Sequence, residues 1–262
     1  MNDTQTSVFL NDKGGTGKST CAALAISRHL RQRDALPIIV EVESEARLGR
    51  VYGAENVTTL TPNASPDAIA ADPALAFSVW DRLGSICMEA DRPVVADLGA
   101  NLAGAFTAWV HHYGEDNPWG MGTGFNAFAV TSGDEPAIQC AHRALVHLRH
   151  ALPEAALWLL VNGKDEPRFK LAVDAPAVKR ILKDAKGNGA LYVPPYPPSA
   201  AGLAYATDNA VPLHDAALLD TSDWKAKAKL DHFAAVRAKI GMRDFVRVGM
   251  EAFNPVWGAL PA

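Results

Sequence analysis

The sequence predicts an α/β protein with a single doubly wound, mostly parallel sheet flanked by helices. Short, wholly apolar runs recur along the chain, and such runs are typical of strands that are covered on both faces. Segments with helical periodicity lie between several of them, and this alternation is typical of a parallel sheet. The chain has 262 residues, of which 48% are hydrophobic. We therefore expect one domain over residues 1–262, with a core at about 7–240 and a carboxyl-terminal extension at 241–262.

The elements follow from the apolar runs and the helical periods in chain order. Six strands are expected, at 7–10, 37–42, 93–98, 126–131, 156–162 and 190–194. Helices are expected at 18–33, 73–90 and 136–150, the last with Asp134 as its cap and Pro136 in its first turn. The glycine-rich stretch 113–125 and the proline-rich stretch 184–200 have no period, so we expect them to be irregular.

The composition excludes several classes of protein. The formal net charge of −4 gives no general attraction for nucleic acid. Residues 221–262 are locally basic, which fits either a basic binding face or a solvated helix surface. The three cysteines, Cys21, Cys87 and Cys140, have no C-x-x-C spacing and indicate neither a disulfide framework nor a zinc site. The start, "MNDTQTSVFL", lacks the basic and apolar regions of a secretory leader, so we expect a cytoplasmic protein.

The stretch "FLNDKGGTGKST" at 9–20 predicts a phosphate-binding loop between a strand and a helix. Glycines allow backbone N–H groups to turn toward phosphate oxygens, and the helix amino terminus adds its positive dipole end. The expected nucleotide-binding residues are Gly14, Gly15, Thr16, Gly17, Lys18, Ser19 and Thr20. Lys18 would neutralise the β- and γ-phosphates and the Ser19 hydroxyl would bind Mg²⁺, so ATP and Mg²⁺ are the expected ligands. The usual pattern also opens with a glycine, and this chain has Asp12 in that position.

Lys13, directly before Gly14 and Gly15, carries a resemblance to a known family. The motif resembles that of the ParA/MinD family of deviant Walker ATPases, x-K-G-G-x-G-K-[ST], in which the first position is free. The resemblance implies that Lys13 reaches across a dimer interface to the nucleotide of the partner subunit. ATP would then join two subunits face to face, and its hydrolysis would release them.

The resemblance extends to three later segments. In "RPVVADLGAN", Asp97 matches the family residue that holds Mg²⁺ through water, and Gly99 matches the residue that senses the γ-phosphate. Asp97 could instead cap the following helix. In "LLVNGKD", Asn162 matches an adenine-contacting residue, with an ordinary turn as the alternative, and Pro194 matches a segment whose backbone lies on the adenine.

One segment departs from the family pattern. The family has two aspartates in D-x-D after its second strand, and here Glu41 and Glu43 occupy those positions. The longer side chain displaces the carboxylate, and a displacement of about 1 Å can cost about a hundredfold in rate. The resemblance thus implies slow, partner-dependent hydrolysis with Glu43 as a catalytic group, although Glu43 could also be a solvated loop acid. The wording "VES" together with "DLGAN" is most similar to the StbB-like branch, which is associated with plasmid stability and conjugation.

The resemblance implies an ATP-dependent dimerisation switch that positions or segregates cargo, such as plasmid DNA, together with a stimulating partner of the ParB kind. It also implies non-specific DNA binding, for which the candidate residues are Lys225, Lys227, Lys229, Arg237 and Arg243. Two alternatives stay open: a metabolic synthetase or kinase acting on a small carboxylic acid, against which Lys13 argues, and a nucleotide-dependent scaffold with little catalysis. Phe245, Val246, Phe253 and Trp257 form an apolar side that we expect to pack on the body of the protein and not on a membrane.

Overall fold

The computed structural model describes residues 5–62, 67, 71–166, 168, 170–197 and 201–260. Seven parallel strands form one sheet in the order β3-β2-β4-β1-β5-β6-β7. Their bounds are β1 (Thr6–Leu10), β2 (Ile38–Val42), β3 (Val57–Leu60), β4 (Val94–Leu98), β5 (Phe125–Thr131), β6 (Ala156–Asn162) and β7 (Gly189–Val193). The predicted parallel α/β sheet is confirmed.

Eleven α-helices are present in the described residues. They are α1 (Lys18–Arg33), α2 (Arg47–Tyr52), α3 (Ser78–Glu89), α4 (Ala103–Tyr113), α5 (Glu135–Ala151), α6 (Pro176–Asp184), α7 (Ala201–Asp208), α8 (Leu213–Leu218), α9 (Thr221–Lys227), α10 (His232–Glu251) and α11 (Asn254–Trp257). Short 3₁₀ helices lie at Pro73–Ala76, Gly114–Asp116 and Gly163–Asp165.

The helices cover both faces of the sheet, and each face has its own apolar cluster. Val8 and Leu10 of β1 belong to the cluster under α3, α4, α5 and α6. Phe9, between them, belongs to the cluster under α1, α2 and α7 to α11. Successive side chains of a strand point to opposite faces, so a strand that is apolar throughout must be buried on both sides. This burial explains why the strands appear as unbroken apolar runs in the sequence.

Most predicted elements are confirmed within one residue at each end. Helix 18–33 has the predicted bounds, and Asp134 caps α5 by accepting a hydrogen bond from the Ala137 N–H. The predicted helix at 73–90 is wrong as a single element. The Phe77 N–H bonds to the Ala74 carbonyl in a 3₁₀ turn, and α3 begins only at Ser78. Strand β3 was not predicted, and residues 198–200 of the proline-rich stretch lie outside the described residues.

The carboxyl-terminal segment packs on the sheet face that α1 covers. Helix α10 continues through position 241, so the backbone has no break where the extension was expected to begin. Phe245, Val246 and Phe253 are buried in the α1-side cluster, as predicted, and Trp257 packs against it. Arg28 of α1 donates hydrogen bonds to the carbonyls of Met250 and Gly258 and to the Asn254 side chain. No helix in the described part of the chain combines the length and the hydropathy needed to cross a membrane.

Candidate functional site

The predicted phosphate loop, between Leu10 and Lys18, joins β1 to α1 in the middle of the sheet, at the carboxyl ends of the strands. Open α/β sheets bind their ligands at this edge, where neighbouring connections leave in opposite directions. Gly15 and Gly17 have φ values of 75° and 87°, a left-handed conformation that favours glycine. Gly14 and Gly15 are exposed, Thr16 is buried, and Gly17 caps α1. The loop therefore presents its glycine backbone to the outside while its base is anchored in the core.

Two side chains that precede the loop glycines fix its base. Asn11 donates to the Val130 and Ala137 carbonyls at 2.8 and 3.0 Å and accepts from the Lys13 N–H. Asp12 Oδ1 accepts from the Ala103 N–H at 2.9 Å, at the amino end of α4. The position where the usual loop has a glycine thus caps a distant helix. Sequence reasoning missed this role, because the capped helix lies about ninety residues further along the chain.

Lys18 is buried at the start of α1 with carboxylates around it. Burial lowers the pKa of Lys18, while the charges of Asp97, Glu43 and Asp12 raise it. The Lys18 ammonium group donates to the Lys13 carbonyl at 3.5 Å. Lys13 itself is exposed on the open side of the loop. The two lysines of the motif therefore have different environments: one is held inside the site and the other faces solvent.

Ser19 and Asp97 lie together beside Lys18, as the predicted metal site requires. Burial raises the pKa of Asp97 to about 7, and the interaction of its carboxylate with the Ser19 hydroxyl lowers it in part. Its buried Oδ1 atom has no hydrogen-bond partner among the described residues. The alternative role of Asp97 as the cap of the next helix is wrong, since the Ala103 N–H at the start of that helix bonds to Asp12.

The two glutamates after β2 differ in their environments. Glu41 is buried and accepts hydrogen bonds from the Leu48 N–H at 2.6 Å and the Thr59 hydroxyl at 3.4 Å, so it caps α2. Glu43 is half-buried and lies directly against Gly99. A Cβ atom added at Gly99 would lie only 2.6 Å from Glu43 Oε2. The charge of Glu43 also raises the pKa values of Lys18 and Asp97, so its carboxylate lies close to both, and its role as a catalytic group stays a prediction.

On the other side of the loop, Asn162 at the end of β6 holds the loop backbone. Its Nδ2 atom donates to the Thr16 carbonyl at 2.9 Å, and its Oδ1 atom accepts from the Lys164 N–H at 3.2 Å. The Tyr196 hydroxyl lies 3.3 Å from Thr20 Oγ1, a contact that sequence reasoning missed. A contact of Asn162 with adenine stays a prediction, and the observed role of Asn162 is to support the loop.

The remaining predicted residues are spread over other surfaces. Pro194 lines a groove against α10 together with Arg237. Arg243 lines a different cavity, which it shares with Arg31, and Lys227 forms an ion pair with Asp223 at 3.2 Å. Lys225 and Lys229 are also exposed. Arg237 and Arg243 line different cavities, so the five predicted basic residues do not all lie on one face of the protein.

A cavity of about 430 Å³ adjoins Ser19 and Thr20. Its other walls come from α2, from α7 and from the turn that follows α7. Pockets for small molecules commonly measure about 300–1,000 Å³. The cavity beside the loop is thus within the size range of small-molecule sites.

Together these features define an α/β protein with a glycine-rich loop at the carboxyl ends of its parallel strands, with Lys18, Asp97 and Glu43 close to that loop. No protein-family model and no curated protein matches the chain. The resemblance to the ParA/MinD family therefore rests on the motif residues and stays a prediction.

Proposed function

We propose that this chain is an ATP-dependent dimerisation switch of the ParA/MinD type that hydrolyses ATP slowly. The observation that carries the proposal is the convergence of Lys18, the Ser19–Asp97 pair and Glu43 around one glycine loop. Charged groups of both signs beside an open glycine loop match what phosphoryl transfer needs, which is a positioned phosphate and compensation of its charge.

The residues fit Mg²⁺ and a triphosphate. The buried Asp97 Oδ1 atom lacks a hydrogen-bond partner among the described residues, and a nearby cation would favour the ionised carboxylate. Ser19 and Asp97 would hold the metal, and Lys18 would lie against the phosphates. When bound, Mg²⁺ would neutralise charge on the phosphate oxygens. The glycine loop would orient those oxygens through its N–H groups.

Glu43 would position the attacking water. It lies against Gly99, which follows Asp97 by two positions, so the water site and the metal site are adjacent. Glu41 is already bonded to α2 and is not free for this task. Only one of the two matched carboxylates is thus available to the reaction, and this supports slow hydrolysis.

Lys13 would supply the dimer contact. It is exposed beside the loop, and its own carbonyl bonds to Lys18, so its backbone is held while its side chain is free to reach outward. A cation brought from a second subunit would stabilise charge on the transferring phosphate in the manner of an arginine finger.

Light scattering tests the proposal. We expect Mg-ATP, but not Mg-ADP, to double the molar mass of the protein, and Lys13→Ala to abolish the doubling. Lys179→Ala removes an exposed lysine on α6 and is the matched control, which should behave like the wild type. A mass that does not depend on the nucleotide would overturn the dimer mechanism.

A nucleotide-dependent scaffold with little catalysis is the second candidate, and the commitment of Glu41 to α2 favours it. The two functions differ in turnover. ADP that accumulates over hours with purified protein supports the ATPase, whereas ATP that stays bound and intact for a day supports the scaffold.

A further inference from the structure

A second cleft lies beside the phosphate loop, on the sheet face opposite α1. It has a volume of about 500 Å³ and lies between the base of the loop, α4 and α5. The loop contributes Asp12 and Lys13, and α5 contributes Cys140, Arg143 and His147. The role of the loop in nucleotide binding does not account for this cleft, because the cavity beside Ser19 and Thr20 lies elsewhere.

The cleft has two cations in its lining against one carboxylate, and Lys13 also acts electrostatically on the nearby Asp134. Lys13 and Arg143 are exposed, and within the described part of the chain neither has a carboxylate within 4.0 Å. The hydrogen bond that involves the Arg143 side chain runs to Cys140 Sγ at 3.5 Å and leaves the rest of its guanidinium group available. The one carboxylate of the lining, Asp12, is already bonded to the amino end of α4. An anion that enters the cleft would meet two cations.

We propose that this cleft binds a carboxylate ligand through Lys13 and Arg143. An arginine pairs with a carboxylate through two parallel hydrogen bonds, and its fork suits that planar group. Among the charged side chains that line the cleft, Lys13 and Arg143 outnumber Asp12, which favours a ligand that carries carboxylates. The size of the cleft is in the range of small-molecule sites.

The site would also regulate the proposed dimerisation, and this second step rests on the proposed function. Lys13 would be shared between the cleft of its own subunit and the phosphate of the partner. A bound carboxylate would hold Lys13 on its own subunit, so it would oppose the ATP-dependent dimer. Asp12, the neighbour of Lys13, hydrogen-bonds to the amino end of α4, so the loop is joined directly to one wall of the cleft.

Ligand-observed NMR without nucleotide and magnesium tests the site itself. The two probes are succinate, which represents a free metabolite, and an acetylated tetraglutamate peptide, which represents an acidic segment of a protein. We expect at least one of them to bind, and Arg143→Ala to weaken that binding about tenfold, the loss expected for a hydrogen bond to a charged group. Arg92→Ala removes an exposed arginine just before β4, at the amino ends of the strands and not at the carboxyl ends where the loop lies. This variant should bind the probe as the wild type does.

His147→Glu adds a negative charge to the cleft on an exposed side chain that is not part of the phosphate loop, and should also weaken the binding. Absence of binding by both probes overturns the proposal. So does binding that survives both Arg143→Ala and His147→Glu, because the anion would then lie outside the cleft.

Light scattering with Mg-ATP tests the regulatory step. A saturating concentration of the bound probe should reduce the mass doubling of the wild type and leave that of Arg143→Ala unchanged. Equal doubling with and without the probe overturns the regulation. If ATP gives no doubling even without the probe, the proposed function fails, while the NMR titration still decides whether the cleft binds a carboxylate.

Discussion

The two flanks of the phosphate loop differ in charge and in hydrogen bonding. On the β4–β2 side, Asp97 and Glu43 bring negative charge to the loop, and the buried Asp97 Oδ1 atom has no partner among the described residues. On the β5–β6–β7 side, Asn162 and Tyr196 contact the loop with uncharged groups that are hydrogen-bonded to it. The first flank has the groups that chemistry needs, and the second fixes the shape of the loop.

The difference indicates where a ligand would stabilise the protein. A buried polar atom without a partner costs about 1–3 kcal/mol. The charged flank carries such a cost, and a bound cation would remove it, so ligand binding and folding stability are linked there. The polar groups of the uncharged flank already have hydrogen-bond partners, so a ligand would add little to folding stability there. Substitutions on the two flanks should therefore affect different measurements, activity on the first and stability on the second.

The largest effect is expected from Gly17→Ala, which breaks the support of the uncharged flank. Gly17 has a φ of 87°, and a Cβ atom there would lie 2.1 Å from Asn162 Nδ2. A left-handed alanine costs about 1–2 kcal/mol. The displaced, buried Asn162 would add about 1–3 kcal/mol. We expect urea denaturation to show a loss of about 2–5 kcal/mol in the free energy of unfolding.

Gly15→Ala is the matched control for this substitution. Gly15 also has a left-handed φ, of 75°, but a Cβ atom there meets nothing within 4 Å. Only the backbone cost of about 1–2 kcal/mol should appear. Equal losses for the two variants would mean that Asn162 does not support the loop.

The sequence was sufficient to predict the fold because the strands are apolar on both faces. Each run such as 93–98 is bounded by turn residues and has no polar interruption, so its length and position could be predicted. Strand β3 was missed because it lies at the edge of the sheet, where Thr58 and Thr59 interrupt the apolar pattern.

The residues alone predicted the part of the site that one local motif contains, and the family resemblance was needed to place Asp97, Glu43 and Asn162 near it. Gly14 to Thr20 are contiguous, so the loop could be identified. The role of Asp12 depends on a helix that starts at Ala103, and the contact of Tyr196 with Thr20 joins segments that are far apart in the sequence. Glu41 and Glu43 occupy the two acidic positions of one pattern. Only the fold shows that Glu41 caps α2 while Glu43 lies against Gly99.

The next largest effect is expected from Asp97→Asn, which removes a charge from the charged flank. Loss of a group that orients a metal typically costs about 10- to 100-fold in activity or metal affinity. We expect the rate of ADP formation to fall by that factor, and turnover to need a correspondingly higher magnesium concentration. Unchanged turnover at low magnesium would exclude Asp97 from the metal site.

The same variant should become relatively more stable as the pH rises. Burial raises the pKa of Asp97 from an ordinary 3.8 to about 7, so the folded state binds this proton more tightly than the unfolded state does. The stability that this group contributes is therefore full below pH 3.8 and is lost as the pH rises to about 7. In metal-free buffer, the stability of Asp97→Asn relative to the wild type should increase from pH 5 to pH 7.5 and then level off. A difference that is independent of pH would contradict the shifted pKa.

A smaller effect is expected from Glu43→Gln, with Glu41→Gln as its counterpart. Glu43→Gln should lower ATP turnover about tenfold, because general-base and water-positioning groups commonly contribute a hundredfold or more and an amide retains part of the positioning. It should leave the denaturation midpoint unchanged, since Glu43 is half-buried and its carboxylate hydrogen-bonds only to its neighbour Ser44 among the described residues.

Glu41→Gln should show the opposite behaviour. Its amide cannot accept on both sides as the carboxylate does, so the Leu48 N–H and the Thr59 hydroxyl lose part of their bonding, and stability should fall by about 1–3 kcal/mol. Thermal denaturation and ADP release measured on both variants separate the two glutamates. A catalytic defect without a stability defect in Glu41→Gln would make both carboxylates part of the site.

The smallest effect is expected from Tyr196→Phe, which removes one hydroxyl from the uncharged flank. The hydrogen bond to Thr20 Oγ1 is lost, at a cost of about 0.5–1.5 kcal/mol, while the ring keeps its edge contact with Phe245 at 5.7 Å. Turnover should stay within about twofold, since the hydroxyl supports the loop and carries no charge. A double-mutant cycle with Thr20→Val isolates this hydrogen bond from other changes. If Tyr196→Phe lowered turnover as much as Glu43→Gln without loss of stability, the uncharged flank would take part in the chemistry and the distinction between the two flanks would fail.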